Sequence, residues 1–309
     1  MTITKSKDSV GIVGLGIMGG AFAKNLVASG WKVIGFDVSG PRCEELAKVG
    51  VTIAKSVAEV CAAAPVVMTS LPSLKAIDTV AKEIAASKAP PRIVMEMSTI
   101  PLEDKEKFAK IVAAAGHIPI DCPVSGTGAQ AETRDLVLYP SGDTAAIARL
   151  KDVIAGFTRG YYDVGAYGNG SKMKYVANHL VAIHNVASAE AMVLGMKAGL
   201  NPGQILRLVS SGVGNSRVFE LRAPMMAKNR YDDATMKISV WQKDMAIIAA
   251  YAKSIGSPTP LFDVTGPLYD RALADGRGAE DTAAVCTVLE RMAGLKRSRS
   301  ARTKRRSPS

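Results

Sequence analysis

The chain has 309 residues, 48% of them hydrophobic and 22% charged. That is ordinary globular composition and predicts two domains that need no disulfide or structural metal to hold a core. Four scattered cysteines (Cys43, Cys61, Cys122, Cys286) form no CxxC pair, which argues against a disulfide scaffold or zinc ribbon and suits a reducing, cytoplasmic setting. The formal charge of +11 is mainly a tail: residues 296–309 hold seven Lys or Arg and no acid, and the rest holds 32 basic against 28 acidic residues, +4. That tail lacks apolar periodicity and is expected to be disordered and solvated. Phosphate contact with nucleic acid is the competing use, but no aromatic residue interrupts the tail to stack on a base. No uncharged apolar run reaches 18 residues, so no membrane span is expected, and Met1 to Asp8 is too short and polar for a signal peptide.

In chain order, Val10–Val13 reads as a strand and Met18–Ser29 as a helix closed by Gly30. Trp31–Phe36, Val51–Ala54 (weak), Val66–Leu71, Ile93–Met97 and His117–Asp121 read as further strands, with helical stretches between them. This alternation indicates βαβ units and a parallel sheet. Ser98 or Thr99 is expected to cap the next helix, with Pro101 near its first turn. From Ser171 to Gly199 the pattern is one long helix, followed by helices around Gly203–Val209, Gln242–Ser254, Leu261–Ala274 and Glu280–Met292. The predicted fold class is therefore α/β: a Rossmann-type doubly wound domain over residues 1–167, then an all-helical domain over 168–295 joined through a long helix, then the tail.

Gly14-Leu15-Gly16-Ile17-Met18-Gly19 follows an apolar strand and opens a helix. In that setting Gly14 makes the tight turn, Gly16 lets a pyrophosphate approach the backbone, and Gly19 lets helix and strand sit close. The free N–H groups and positive dipole end of the helix would receive the phosphates. Asp37 ends the next strand, 23 residues after Gly14, where it can accept from ribose hydroxyls and repel a 2′-phosphate. NAD is the expected cofactor, and Arg42, near enough to reach a phosphate, keeps NADP open.

These blocks resemble the β-hydroxyacid dehydrogenase family, which includes 3-hydroxyisobutyrate dehydrogenase and tartronate semialdehyde reductase and, more distantly, 6-phosphogluconate dehydrogenase. The resemblance runs over about residues 9–292. It rests on the GLGIMG turn, on Asp121-Cys122-Pro123-Val124-Ser125-Gly126, on Gly168-Asn169-Gly170-Ser171-Lys172-Met173-Lys174-Tyr175-Val176-Ala177-Asn178, and on Lys243-Asp244. It implies an NAD(P)-dependent oxidoreductase that interconverts a small 3-hydroxy acid and its semialdehyde without a metal. By the same resemblance, Lys174 is the general acid/base and Asn178 orients it or the substrate. Ser125, Gly126 and Thr127 form a substrate-carboxylate loop. Leu71, Pro72, Ser98 and Thr99 line the cofactor, Lys243 meets cofactor or substrate, and the protein is a homodimer or homotetramer.

The residues themselves permit these roles. Lys174 and Asn178, at i and i+4, share one helix face, expected to face an interdomain cleft. A lysine can exchange the substrate proton if burial or a like charge lowers its pKa from about 10.4. Successive N–H groups at Ser125 to Thr127 can form an anion nest. Relatives usually carry glycine where Thr127 and Arg134 stand. Arg134 is expected to pair with Glu132 or Asp135 in solvent, the alternative being a cation for a second acidic group on the substrate. His179 and His184 lack metal-ligand spacing and are expected to pack, as are Met192 and Met196, while Trp241 either walls the cleft or packs. Two other functions fit less of the sequence. An imine reductase of this fold would replace Lys174, and a non-catalytic scaffold that contacts nucleic acid has only the basic tail in its support.

Overall fold

A computed structural model describes residues 8–297, so the expectation for the tail beyond Arg297 lies outside the described residues. Two compact units divide at Val176 and Ala177. The first unit begins with β1 (Ser9–Val13), α1 (Ile17–Ala28), β2 (Lys32–Phe36), α2 (Gly40–Ala47), β3 (Thr52–Ile53), α3 (Val57–Ala63), β4 (Val66–Thr69), α4 (Leu74–Ala86), β5 (Ile93–Glu96), α5 (Leu102–Ala114) and β6 (Ile118–Asp121). Then come β7 (Val124–Ser125), α6 (Gly128–Glu132), β8 (Val137–Leu138), β9 (Ser141–Gly142), α7 (Thr144–Arg149), α8 (Lys151–Ala155) and β10 (Gly160–Tyr161).

Strands β1 to β6 are parallel, in the order β3-β2-β1-β4-β5-β6, and β9 closes the sheet antiparallel to β6. The strands are short apolar runs because both sheet faces are covered. Alternate residues go to opposite cores: Val10, Ile12, Met68 and Met95 pack with Phe22, Leu26 and Phe157, while Val13, Val67 and Val94 pack with Val60, Ile84 and Phe108. The chain order reverses at β1, which lies between β2 and β4. In open parallel sheets, ligands bind outside the carboxyl ends of the strands at such a reversal. Gly14 and Ser70 leave the sheet there.

The boundary between the units falls inside α9 (Asn169–Lys197), a continuous helix of 29 residues. The second unit continues with α10 (Pro202–Ser210), α11 (Arg217–Lys228), α12 (Ile238–Ser254), α13 (Pro260–Asp263), α14 (Gly266–Ala274), a 3-10 turn (Thr282–Ala284) and α15 (Val285–Met292). Phe219, Tyr231, Trp241, Tyr269 and Val285 are buried in it. Asp281 is a polar hub there, accepting from Arg222 Nη1 at 2.9 Å, Thr235 N at 2.7 Å and Ala283 N at 2.9 Å.

Several expectations need correcting. Neither Ser98 nor Thr99 caps α5: the cap position is Pro101, whose extended backbone (ψ 145) lets its carbonyl take the Asp104 and Lys105 N–H groups. The stretch 261–274 is two helices, because Pro267 lacks an N–H and restarts the chain near the first turn of α14. Helix α11 was not expected; Pro224 inside it hides the pattern, while Ser216 caps it through Phe219 N at 3.0 Å. Arg297, assigned to the solvated tail, is instead packed: Nη2 donates to Met226 O at 2.6 Å and Nε pairs with Glu290 at 3.1 Å.

Candidate active site

The turn after β1 is built for close approach. Gly14 has φ +93, and a Cβ there would lie 2.2 Å from Ser70 O. A Cβ on Gly19 would lie 1.9 Å from Gly14 O, whereas one on Gly16 would meet nothing within 4 Å. The first two glycines are therefore fixed by the protein's own packing, and the third leaves open space beside the backbone. The first helical bond of α1 is Gly20 N to Gly16 O at 2.8 Å, so the N–H groups of Ile17, Met18 and Gly19 precede it and suit an anion. Asp37 closes this turn: Oδ2 accepts from Leu15 N at 2.7 Å and Oδ1 from Ser39 N at 2.8 Å. Beside it Val38 is 95% exposed, an apolar face next to a carboxylate. Arg42 and Lys24 both pair with Glu45, each at 3.1 Å, and these contacts hold its carboxyl below the usual range, Lys24 first.

Two further loops meet through one hydrogen bond. Leu71 N, at the end of β4, donates to Ser98 Oγ at 2.9 Å. Thr99 and Pro72 flank this contact. The loop after β7 lies against the glycine turn, since a Cβ on Gly128 would be 2.7 Å from Ile17 Cγ2. Ser125 is partly buried, and its hydroxyl makes no hydrogen bond among the described residues. Thr127 differs from expectation. It caps α6 in a box with Gln130, and its N–H donates to Gln130 Oε1 at 3.1 Å, so that group is committed within the loop and does not extend an anion nest.

Lys174 is buried at 8% exposure, and its neighbours in α9 are tied to β6 and to the loop between β5 and α5. Ser171 N and Oγ donate to the Asp121 carboxylate at 2.7 and 2.9 Å, and the Tyr175 hydroxyl donates to Ile100 O at 2.5 Å. One turn on, Asn178 Nδ2 donates to Asp244 Oδ2 at 3.1 Å, and Lys243 Nζ pairs with Asp244 Oδ1 at 3.1 Å. Thus Asn178, Lys243 and Asp244 form one group in the second unit.

Under these loops lies a charge cluster. Lys105, Glu96 and Asp121 are all 0% exposed. Lys105 Nζ pairs with the Glu96 carboxylate, lies 3.0 Å from Asp121 Oδ1, and donates to Glu96 O at 3.0 Å. Glu96 Oε1 in turn accepts from Ser98 N at 2.9 Å. Burial alone would lower the Lys105 pKa, but the Asp121 and Glu96 carboxylates hold it above the ordinary lysine value. Burial also pushes the Cys122 thiol and the Tyr167 phenol up, so neither is an ionised nucleophile at neutral pH.

A family model described as the NAD binding domain of 6-phosphogluconate dehydrogenase matches residues 9–166. A second, described as the NAD-binding of NADP-dependent 3-hydroxyisobutyrate dehydrogenase, matches residues 168–289. The L-threonate dehydrogenase of Cupriavidus necator is 30% identical over 285 residues, covering 91% of this chain and 96% of its own. The chain belongs to the β-hydroxyacid dehydrogenase family. It is accordingly an NAD(P)-dependent dehydrogenase. The 2-(hydroxymethyl)glutarate dehydrogenase of Eubacterium barkeri is 28% identical, covering 93% of this chain and 96% of its own. Among solved structures, the 3-hydroxyisobutyrate dehydrogenase of Mycobacterium tuberculosis has a TM-score of 0.84 at 26% identity, covering 92% of this chain and 99% of its own.

For this β-hydroxyacid dehydrogenase, sequence reasoning passed over the charge cluster. One signal was available: Lys105 lies on the buried stripe of α5 with Phe108 and Val112, and a charge on an apolar face requires a partner. His179 stacks on Phe262 with ring centres 5.1 Å apart, and Trp241 is buried against Tyr269. Among the described residues, no His, Cys, Asp or Glu group is placed to hold a metal, and no helix is long and apolar enough to cross a membrane.

Proposed function

We propose that the protein interconverts a small 3-hydroxy carboxylic acid and its semialdehyde, with Lys174 as the proton-transfer group. The observation that carries this is Lys174 buried in α9 between Ser171, anchored to the end of β6, and Tyr175, anchored to the loop between β5 and α5. Held there, its Nζ takes the proton from the substrate hydroxyl during oxidation and returns it during reduction. Asn178, oriented by Asp244, presents its amide to the lysine or the substrate oxygen. Ser125 and Gly126 seat the substrate carboxylate through the unengaged hydroxyl and the backbone. Leu71, Pro72, Ser98 and Thr99 line the cofactor. The nicotinamide, when bound, exchanges the hydride. We take the enzyme to be a cytoplasmic homo-oligomer, a state that the exposed apolar residues of α9 (Val176, Leu180, Leu194) suit. Absorbance of the nicotinamide on a panel of 3-hydroxy acids and semialdehydes tests the reading, and silence across that panel overturns it.

The glycine turn fits a pyrophosphate because Gly16 faces open space. Gly16→Ala is expected to keep the wild-type Tm and weaken NAD binding at least roughly tenfold, since the methyl takes up ligand space. Gly19→Ala is expected to lower the Tm, because its Cβ has backbone 1.9 Å away. Thermal unfolding and cofactor titration on both variants separate the two, and a Tm loss in Gly16→Ala would contradict the assignment.

Asp37 favours NAD, for its carboxylate would repel a 2′-phosphate. Asp37→Ser is expected to raise the NADP-to-NAD ratio of kcat/KM by roughly tenfold or more. An unchanged ratio would place the discrimination elsewhere.

A further inference from the structure

Arg134 follows α6 and its cap Thr133 with φ +60, the left-handed conformation that helix ends usually give to glycine. The turn is well made: Arg134 N donates to Ala131 O at 3.3 Å and Asp135 N to Gln130 O at 2.9 Å. An arginine held there is strained relative to glycine. Its guanidinium recovers nothing from the protein. It is partly buried, and among the described residues it makes no ion pair and no side-chain hydrogen bond. The expected pairing with Glu132 or Asp135 is therefore corrected: Asp135 is held by Gln130 Nε2 at 3.1 Å and Arg159 Nη1 at 3.4 Å.

The turn belongs to the hairpin that carries Ser125, which pairs with Val137 across β7 and β8. A Cβ on Gly126 would lie 2.4 Å from Leu136 Cδ2 and 3.5 Å from Asp135 O. The segment just after Arg134 thus packs directly on the loop assigned to the substrate carboxylate.

We propose that Arg134 is a specificity-determining residue that binds a second carboxylate, so that the preferred substrate is a hydroxy diacid. The inference rests on reading Ser125 and Gly126 as the seat of the first carboxylate. A planar guanidinium matches a carboxylate through two parallel hydrogen bonds. One cation flanked in sequence by Glu132 and Asp135 suits a single negative charge better than a phosphate dianion.

Three matched substrates test this: 2-(hydroxymethyl)propanoate, 2-(hydroxymethyl)pentanoate and 2-(hydroxymethyl)pentanedioate, offered with NAD to wild type, Arg134→Gly and Arg134→Lys. Wild type is expected to favour the diacid over the monoacid of equal length by roughly tenfold or more in kcat/KM. In Arg134→Gly the diacid is expected to lose roughly tenfold to a hundredfold more than either monoacid, chiefly through KM. The same variant is expected to unfold at a higher temperature as the strain is relieved, and Arg134→Lys to recover part of the diacid preference. Equal diacid-to-monoacid ratios in wild type and Arg134→Gly overturn the assignment, while monoacid turnover leaves the hydroxy-acid reading standing. If wild type turns over none of the three, that reading fails instead. Calorimetric titration of pentanedioate against pentanoate onto the NAD-loaded proteins then decides Arg134, and equal affinities in wild type and Arg134→Gly would overturn it.

Discussion

Lys174→Ala is expected to lower kcat by roughly a thousandfold while NAD affinity stays at the wild-type value. The size follows from the step removed. General acid–base groups contribute on the order of a hundredfold to ten-thousandfold, and Lys172, the other lysine between the two anchored residues, is tied to Asn169 Oδ1 at 3.2 Å. The hydride step and the carboxylate seat do not involve this side chain, so KM is expected to change far less than kcat. A small primary amine added to the assay is expected to restore part of the rate, because it can occupy the space of the missing aminopropyl group and carry the proton. Steady-state rates with and without amine, beside a cofactor titration, check this. A kcat within tenfold of wild type would remove Lys174 from proton transfer and leave Lys243 as the next lysine to examine.

Much of this layout was legible in the sequence, and for physical reasons. Strands β1, β4 and β5 are buried on both faces, so each is an apolar run bounded by turn residues. The glycine turn could be read because close backbone contacts leave no choice of residue at Gly14 and Gly19. The two-residue strands β7, β8 and β10 could not be read, since they are defined by pairing across a hairpin or a crossover and not by their own composition. Thr127 was misjudged for a similar reason. Its N–H is claimed by Gln130, three residues away, and the sequence shows the capping pair only once a helix is known to start there. Arg134 was misjudged because its partner choice depends on Arg159, far along the chain, reaching Asp135 first. Identities that depend on local spacing survive reading from sequence, and those that depend on competition among distant charges do not.

Lys105 is the strongest case of that second kind, and Lys105→Met is expected to destabilise the first unit by about 3–5 kcal/mol. The lysine lies between two carboxylates in a fully buried cluster, and removing it leaves Glu96 and Asp121 facing each other without a cation. The loss is not that of a surface pair, which would be worth about 0–1 kcal/mol, because water cannot replace the missing charge. The sign can be tested separately. Adding Glu96→Gln to Lys105→Met removes one uncompensated charge and is expected to recover part of the stability, so the double variant should be more stable than the single one. The pH dependence follows from the raised Lys105 pKa. A group whose folded pKa exceeds its unfolded value gives its full stabilisation below the unfolded value, near 10.5. That contribution is lost as pH rises through the folded one. Wild type is therefore expected to keep the cluster's contribution through neutral pH and to lose stability steeply only in strong alkali, a loss that Lys105→Met should not show. Urea unfolding of the three proteins at pH 7 measures the cost, and the same titrations carried from pH 10.5 up into strong alkali measure the alkaline loss. A cost below about 1 kcal/mol, or parallel alkaline curves for wild type and Lys105→Met, would mean that the cluster does not hold these loops. Since Glu96 fixes Ser98 and Asp121 fixes the first turn of α9, a cluster that does hold them makes the placement of Lys174 a property of the sheet's buried charges.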